Sequence, residues 1–322
     1  MSSRDAQARR LEKAHERHRR VRRGRLAAVG SLLLVMAVLG AVVLASTRSA
    51  SPQGRKQHST AAAAHSGAAA SGSRAGANPA SAAVPILMYH VINVPPPGGG
   101  ASPDLYVPAD EFSSQMEALK ADGWHAVTLD QLEASWTRGV PLGPGKPIVI
   151  TFDSGYASQY TNAAPVLKRL GWVGVENLQL SGLPPSEGGL SDAQVHGLIG
   201  AGWELDTQGI GHADLIALDP AQLRTDLTTA RQLLRSRYGV PVNWFSYPLG
   251  HYDATVIAAV SNAGFSGATT VIPAWAGPQQ DRFSLPRLAV LGGTSPSALL
   301  AQIAAARSNA TVPSAYSGPG IA

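Results

Sequence analysis

Four apolar runs in this 322-residue chain end in side chains that can move protons or hold a cation. The first delivers His90. The second, Thr151-Phe152, delivers Asp153, Ser154 and, after Gly155, Tyr156. The third ends in Asp206-Thr207-Gln208, with His212 four residues on. The fourth ends in Tyr247, followed by His251 and Tyr252. A carboxylate near an imidazole is equipment for general acid–base chemistry, and the same two side-chain types are ligands for a catalytic divalent cation. The chain has no cysteine, which excludes thiol nucleophiles, disulfides and Cys-ligated zinc.

Such endings have a natural position in one kind of fold. In parallel α/β proteins, functional side chains gather at the C-terminal ends of the strands. The spacing predicts strands at Pro85–Tyr89, His125–Thr128, Pro147–Phe152, Gly174–Leu180, Trp203–Thr207, Asn243–Tyr247, Gly267–Thr270 and Leu285–Val290. Helices are predicted between them. Phe112, Met116 and Leu119 mark one helical face after Pro108. Leu223, Leu227, Ala230 and Leu234 mark another, capped by Asp219-Pro220, and Asp253 caps a third. Alternation of this kind implies a parallel sheet, and periodicity alone leaves a barrel and an open doubly wound sheet both open.

PILMYH (from Pro85), TFDSGY (from Thr151), GWELDTQGIGHADL (from Gly202) and FSYPLGHYD (from Phe245) resemble, in order and spacing, successive motifs of the polysaccharide deacetylases, carbohydrate esterase family 4. The resemblance runs from about Pro85 to about Val290. It implies a distorted (β/α) barrel and hydrolysis of acetyl groups on a glycan. The family's second motif is usually TFDDG, whose first Asp is the base and whose second binds a divalent metal, often zinc. Its third motif is usually H-x(3)-H, both imidazoles binding the same ion. Asp153 therefore falls on the base, Ser154 on the metal-binding Asp, Gln208 on the first His and His212 on the second. Tyr247 falls on the residue whose backbone N–H serves the oxyanion. Arg287 resembles a Pro-Arg element that would orient Asp153. Tyr156 and Tyr252 are candidate substrate contacts. No His follows Arg287, so the family's distal acid has no counterpart.

Two of the three usual ligands are thus replaced by a hydroxyl and a carboxamide, which carry no charge and bind zinc weakly. The expectation is no metal, or a weakly bound divalent one. A rebuilt set of Asp153, His212 and either His90 or His251 would have acceptable ligand types. The competing reading makes His90 an orienting residue and His251 a solvated loop residue.

The net charge of +5 divides unevenly: residues 1–25 carry +7, leaving −2 for the other 297. The folded part has no bulk attraction for nucleic acid. The basic head precedes Leu26–Ser46, 21 uncharged residues long enough as a helix to cross a bilayer. This predicts a single-pass membrane anchor with its N-terminus in the cytoplasm; a cleaved signal peptide is the competing reading. Residues 47–83, rich in Ala, Ser and Gly, read as a linker. The deacetylase-like domain is expected over 84–307 and a disordered tail over 308–322. The expected partner is an acetylated glycan of the cell envelope or extracellular space. Two functions follow: a hydrolase of C–N or ester-linked acetyl groups with a degraded or rebuilt metal site, or an inactive glycan-binding pseudoenzyme.

Overall fold

A computed structural model describes residues 82–97, 102–181, 183, 188–306 and 311–320. The basic head, the apolar run and nearly all of the linker lie outside the described residues, and no described helix is long and apolar enough to cross a membrane.

Eight parallel strands form the frame: β1 Ile86–Tyr89, β2 Trp124–Val127, β3 Lys146–Ser154, β4 Val175–Leu178, β5 Glu204–Thr207, β6 Trp244–Ser246, β7 Gly267–Thr269 and β8 Leu288–Ala289. Their order is β7-β6-β5-β4-β3-β1-β8, with β2 paired to the first half of β3. The sheet curls into a half-barrel. The segment entering β8 approaches the far edge, where Leu285 pairs with Thr269 and exchanges backbone bonds with Ala268 and Thr270. All eight expected strands are present. The last is shorter than predicted: Pro286 has no N–H for the ladder, so Leu285 remains an isolated bridge.

Among the described residues seven α-helices pack on the frame: α1 Ala109–Ala121, α2 Leu129–Arg138, α3 Ala164–Leu170, α4 Asp192–Gly200, α5 Pro220–Tyr238, α6 Ala254–Asn262 and α7 Pro296–Ala306. Short polar side chains set their starts. Thr128, Ser191 and Asp219 each form a reciprocal capping box with a Gln three residues on, and Asp253 caps α6 through Val256 N.

Alternation along β3 decides which residues reach the site. Ile148, Ile150 and Phe152 face the helices and pack with Phe112, Met116 and Leu167. Val149 faces inward, with Ile86, Val175 and Trp244. A period of two then puts Thr151 and Asp153 on the inner face as well. Both faces of β3 are buried, so it reads as a continuous apolar run until its polar end.

The C-terminal residues differ from expectation. Rather than trailing free, residues 311–320 lie along the body, with Tyr316 and Tyr252 exchanging both backbone hydrogen bonds.

Candidate active site

Asp153 sits at the C-terminal end of β3, 1% exposed. Four donors converge on its carboxylate. Oδ1 accepts from Asn177 Nδ2 at 2.7 Å and Arg287 Nη1 at 2.8 Å. Oδ2 accepts from Arg287 Nη2 at 2.9 Å and Ser246 Oγ at 3.1 Å. Arg287 is equally buried, and its remaining donors reach Thr270 O, Thr151 Oγ1 and Ser246 Oγ. Burial alone would raise the Asp153 carboxyl; the charge and hydrogen bonds of Arg287 outweigh it and hold the group below its ordinary range. Each oxygen already accepts two hydrogen bonds, so Asp153 can take a proton only by giving one of them up.

Ser154 follows with φ +80°, a left-handed conformation that a non-glycine residue rarely adopts. This turn aims its hydroxyl across the strand ends at Gln208, where Oγ donates to Oε1 at 3.0 Å. Both residues are buried. The two positions that the motif resemblance aligns with a metal-binding carboxylate and imidazole hold a neutral pair bonded to each other.

His90 and His212 complete the neighbourhood, each within electrostatic reach of Asp153. Burial pushes His90 down to about 4, against the opposing pull of Asp153. Burial also lowers His212, which is partly exposed. Both imidazoles are therefore neutral at pH 7.

These residues do not fit a divalent metal. A hydroxyl, a carboxamide and one imidazole offer no negative charge. The rebuilt set is not assembled: among the described residues no group of three His, Asp or Glu side chains is arranged to hold an ion. Asp153 is committed to Arg287. His251 belongs to another contact, with Nε2 donating to Gly318 O at 2.9 Å and Nδ1 3.1 Å from Asp214 Oδ1, within ion-pair distance but off the hydrogen-bond axis.

Three tyrosines depart from expectation. The Tyr247 backbone N–H is taken by Thr269 O at 3.3 Å and its hydroxyl by Phe283 O at 2.8 Å, so neither is free for an oxyanion. Tyr252 is fully buried, stacked on Tyr247 at 5.0 Å, with its hydroxyl donating to Pro313 O. Tyr156 is buried among Val91, Tyr106 and Leu183. The rings of Tyr247 and Tyr252 are packed as core, and Tyr156 joins a smaller cluster. Among the tryptophans, Trp203 stacks on Phe152 and Trp244 fills the interior, its Nε1 donating to Asp130.

Sequence reasoning missed Asn177, Ser246 and Gln159. The Gln159 Nε2 donates to the carbonyls of His90 and Asp153, both at 2.8 Å, tying the ends of β1 and β3 together. Asn177 had a legible signal, since a carboxamide inside an apolar strand needs a buried partner. Gln159 and Ser246 had none.

The chain matches the polysaccharide deacetylase family over residues 142–268. It is 30% identical over 223 residues to YxkH of Bacillus subtilis (strain 168), a protein named for the polysaccharide deacetylases; the match covers 69% of this chain and 76% of that one. The deacetylase PplD of Streptococcus pyogenes, solved with acetate, superposes with a TM-score of 0.64 at 24% identity, covering 69% of this chain and 99% of that one. BA0330 of Bacillus anthracis, also named for the polysaccharide deacetylases, gives 0.61 at 26%, covering 69% of each. By its strand order, its motifs and the YxkH match, this chain belongs to the polysaccharide deacetylase family.

Proposed function

We propose that this protein is a deacetylase-like glycan-recognition domain, tethered outside the cytoplasm by its N-terminal apolar run, that does not use the family's metal-dependent route. The Ser154–Gln208 hydrogen bond at 3.0 Å carries the reading. Metal-dependent deacetylation needs a cation to activate water and polarise the carbonyl. The pair here is buried, satisfies itself and offers a cation no charge. Family membership supports an acetylated glycan as ligand, and the uncharged run after a basic head supports the tether.

Hydrolysis without a metal is the second reading. It is favoured by His212, a neutral and partly exposed imidazole near Asp153 that could accept a proton from water.

One experiment separates the two. The protein is incubated with acetylated chitooligosaccharides and peptidoglycan fragments, with and without Zn²⁺ or Co²⁺, while binding and released acetate are measured together. Binding without acetate is expected. Acetate release that Asp153→Asn or His212→Ala abolishes would replace this reading with the second, and absence of binding to any acetylated glycan would remove both.

A further inference from the structure

The ladder between β1 and β3 stops one rung short of the site. Val149 N donates to Pro85 O, and the register from Ile86↔Val149 to Tyr89↔Phe152 repeats that pattern every two residues. Continued once more, it would bring Val91 N to Asp153 O. Val91 N instead donates to Leu105 O at 3.2 Å, where the chain leaving β1 bridges Tyr106. The two strands therefore part between His90 and Asp153.

Gln159 takes the place of the missing rung. It opens the π-helical turn Gln159–Ala163 and is fully buried, and its Nε2 donates to His90 O and Asp153 O, both at 2.8 Å. Each carbonyl belongs to a peptide that matters at the strand ends. His90 O shares its peptide with Val91 N, which Leu105 O holds from the other side. Asp153 O belongs to the peptide before Ser154, and in the peptide after it Ser154 O accepts from Gln179 N at 3.3 Å. Both peptides flanking Ser154 are thus pinned, and with them its φ of +80°. A left-handed residue persists where its surroundings over-determine it, and this one aims its hydroxyl at Gln208. Neighbours of Gln159 grip the same exit from β1: Ser158 Oγ accepts from Ile92 N at 3.1 Å, and Asn162 Nδ2 donates to Ile92 O at 2.7 Å.

Stability alone is a poor account of this glutamine. Its Oε1 is buried with no hydrogen-bond partner among the described residues, and an orphaned acceptor opposes burial. Single π-helical turns of this kind are frequent at functional sites.

We infer that Gln159 is a positioning residue for the site: its amide replaces a rung of the sheet, fixes the His90 and Asp153 backbones relative to each other, and locks the left-handed turn that points Ser154 at Gln208. The hydrogen-bond geometry carries the positioning; only its effect on glycan affinity rests on the function proposed above.

The test compares the full chain in four forms: wild type, Gln159→Met, Ser154→Gly and the double variant. Methionine keeps the volume and removes the donor. Amide hydrogen exchange is followed at Val91 and Gln179, with β7 and α5 as internal controls. Gln159→Met should exchange about tenfold faster at both reporters and no faster in the controls. In the Ser154→Gly background the acceleration should persist at Val91 and fall below about twofold at Gln179, because glycine adopts positive φ unaided. Gln159→Asn, with the amide on a stem too short to span both carbonyls, gives the same comparison if methionine prevents folding. Affinity for an acetylated chitooligosaccharide should fall alongside. Equal acceleration in the controls would make Gln159 a general stabiliser and overturn the inference. So would the same acceleration at Gln179 in both backgrounds, which would separate Gln159 from the Ser154 turn, and so would unchanged affinity in Gln159→Met where the wild type binds glycan. Altered exchange in a protein that binds no glycan would leave the positioning standing and remove only the ligand reading.

Discussion

Asp153 and Asp206 flank Asn177 in register, on β3 and β5, and both are buried. Their carboxyls are shifted in opposite directions. Asp153 faces Arg287 and stays ionised below its ordinary range. Asp206 has no cation. Its Oδ1 accepts from the amides of Asn243 and Trp244, and its nearest charged neighbours are the acids Glu204 and Asp130. Burial pushes Asp206 up to about 7 and also raises Glu204 well above its ordinary range, with Asp206 adding to that rise. Neither aspartate's state is set by depth alone. A fixed guanidinium decides one, and the lack of any cation decides the other.

The comparison breaks most severely at the cation. Arg287→Met leaves the Asp153 charge buried and alone, and should cost about 3–5 kcal/mol in denaturant unfolding. Adding Asp153→Leu to that variant should recover most of the loss, because the buried charge goes with it. A single variant as destabilised as the double one would show that packing, not charge, carries the effect.

The pH dependence sharpens the contrast. Folded Asp206 keeps its proton up to about pH 7, whereas the unfolded chain releases it near 3.8. Between those values the folded state binds more protons, so stability falls as pH rises. Asp153 works in the opposite direction: its contribution is present above the ordinary carboxyl range and is lost on acidification below it. Melting curves should show a downward slope in Tm from about pH 4 to 7 that Asp206→Asn flattens. An unchanged slope in that variant would contradict the protonation assigned to Asp206.

Single hydrogen bonds come next. Ser246→Ala removes one donor from the Asp153 carboxylate and should cost about 1.5–3 kcal/mol, as for bonds to charged groups. The smallest effect is expected at Ser154→Gly. Relief of the φ +80° conformation, about 1 kcal/mol, offsets a lost neutral bond of about the same size. A cost above about 2 kcal/mol there would mean that the Ser154–Gln208 pair does more than satisfy itself.

The frame was legible because the strands of a buried parallel sheet are apolar on both faces and end in polar residues, so His90, Asp153, Gln208 and Tyr247 marked strand ends in the sequence. The site was legible only at positions matching a motif. Asp153 and Arg287 are far apart in the chain and meet because β8 joins the sheet beside β1, a pairing that only the family resemblance anticipated. The tyrosines misled because a hydroxyl beside a motif reads the same whether it faces a ligand or, as with Tyr252, a backbone carbonyl such as Pro313 O. The packing of residues 311–320 was illegible: Gly, Pro and Ser composition signals irregular backbone and says nothing of the bonds that Tyr252 and His251 make to it.

Zinc affinity of the purified wild-type protein, measured by calorimetry beside the double variant Ser154→Asp with Gln208→His, tests the account most directly. The wild type should show no binding at micromolar zinc, and the double variant, which restores the family's ligand types at both positions, should take up one equivalent. Stoichiometric zinc in the wild type would contradict the claim that a self-satisfied serine–glutamine pair has displaced the cation.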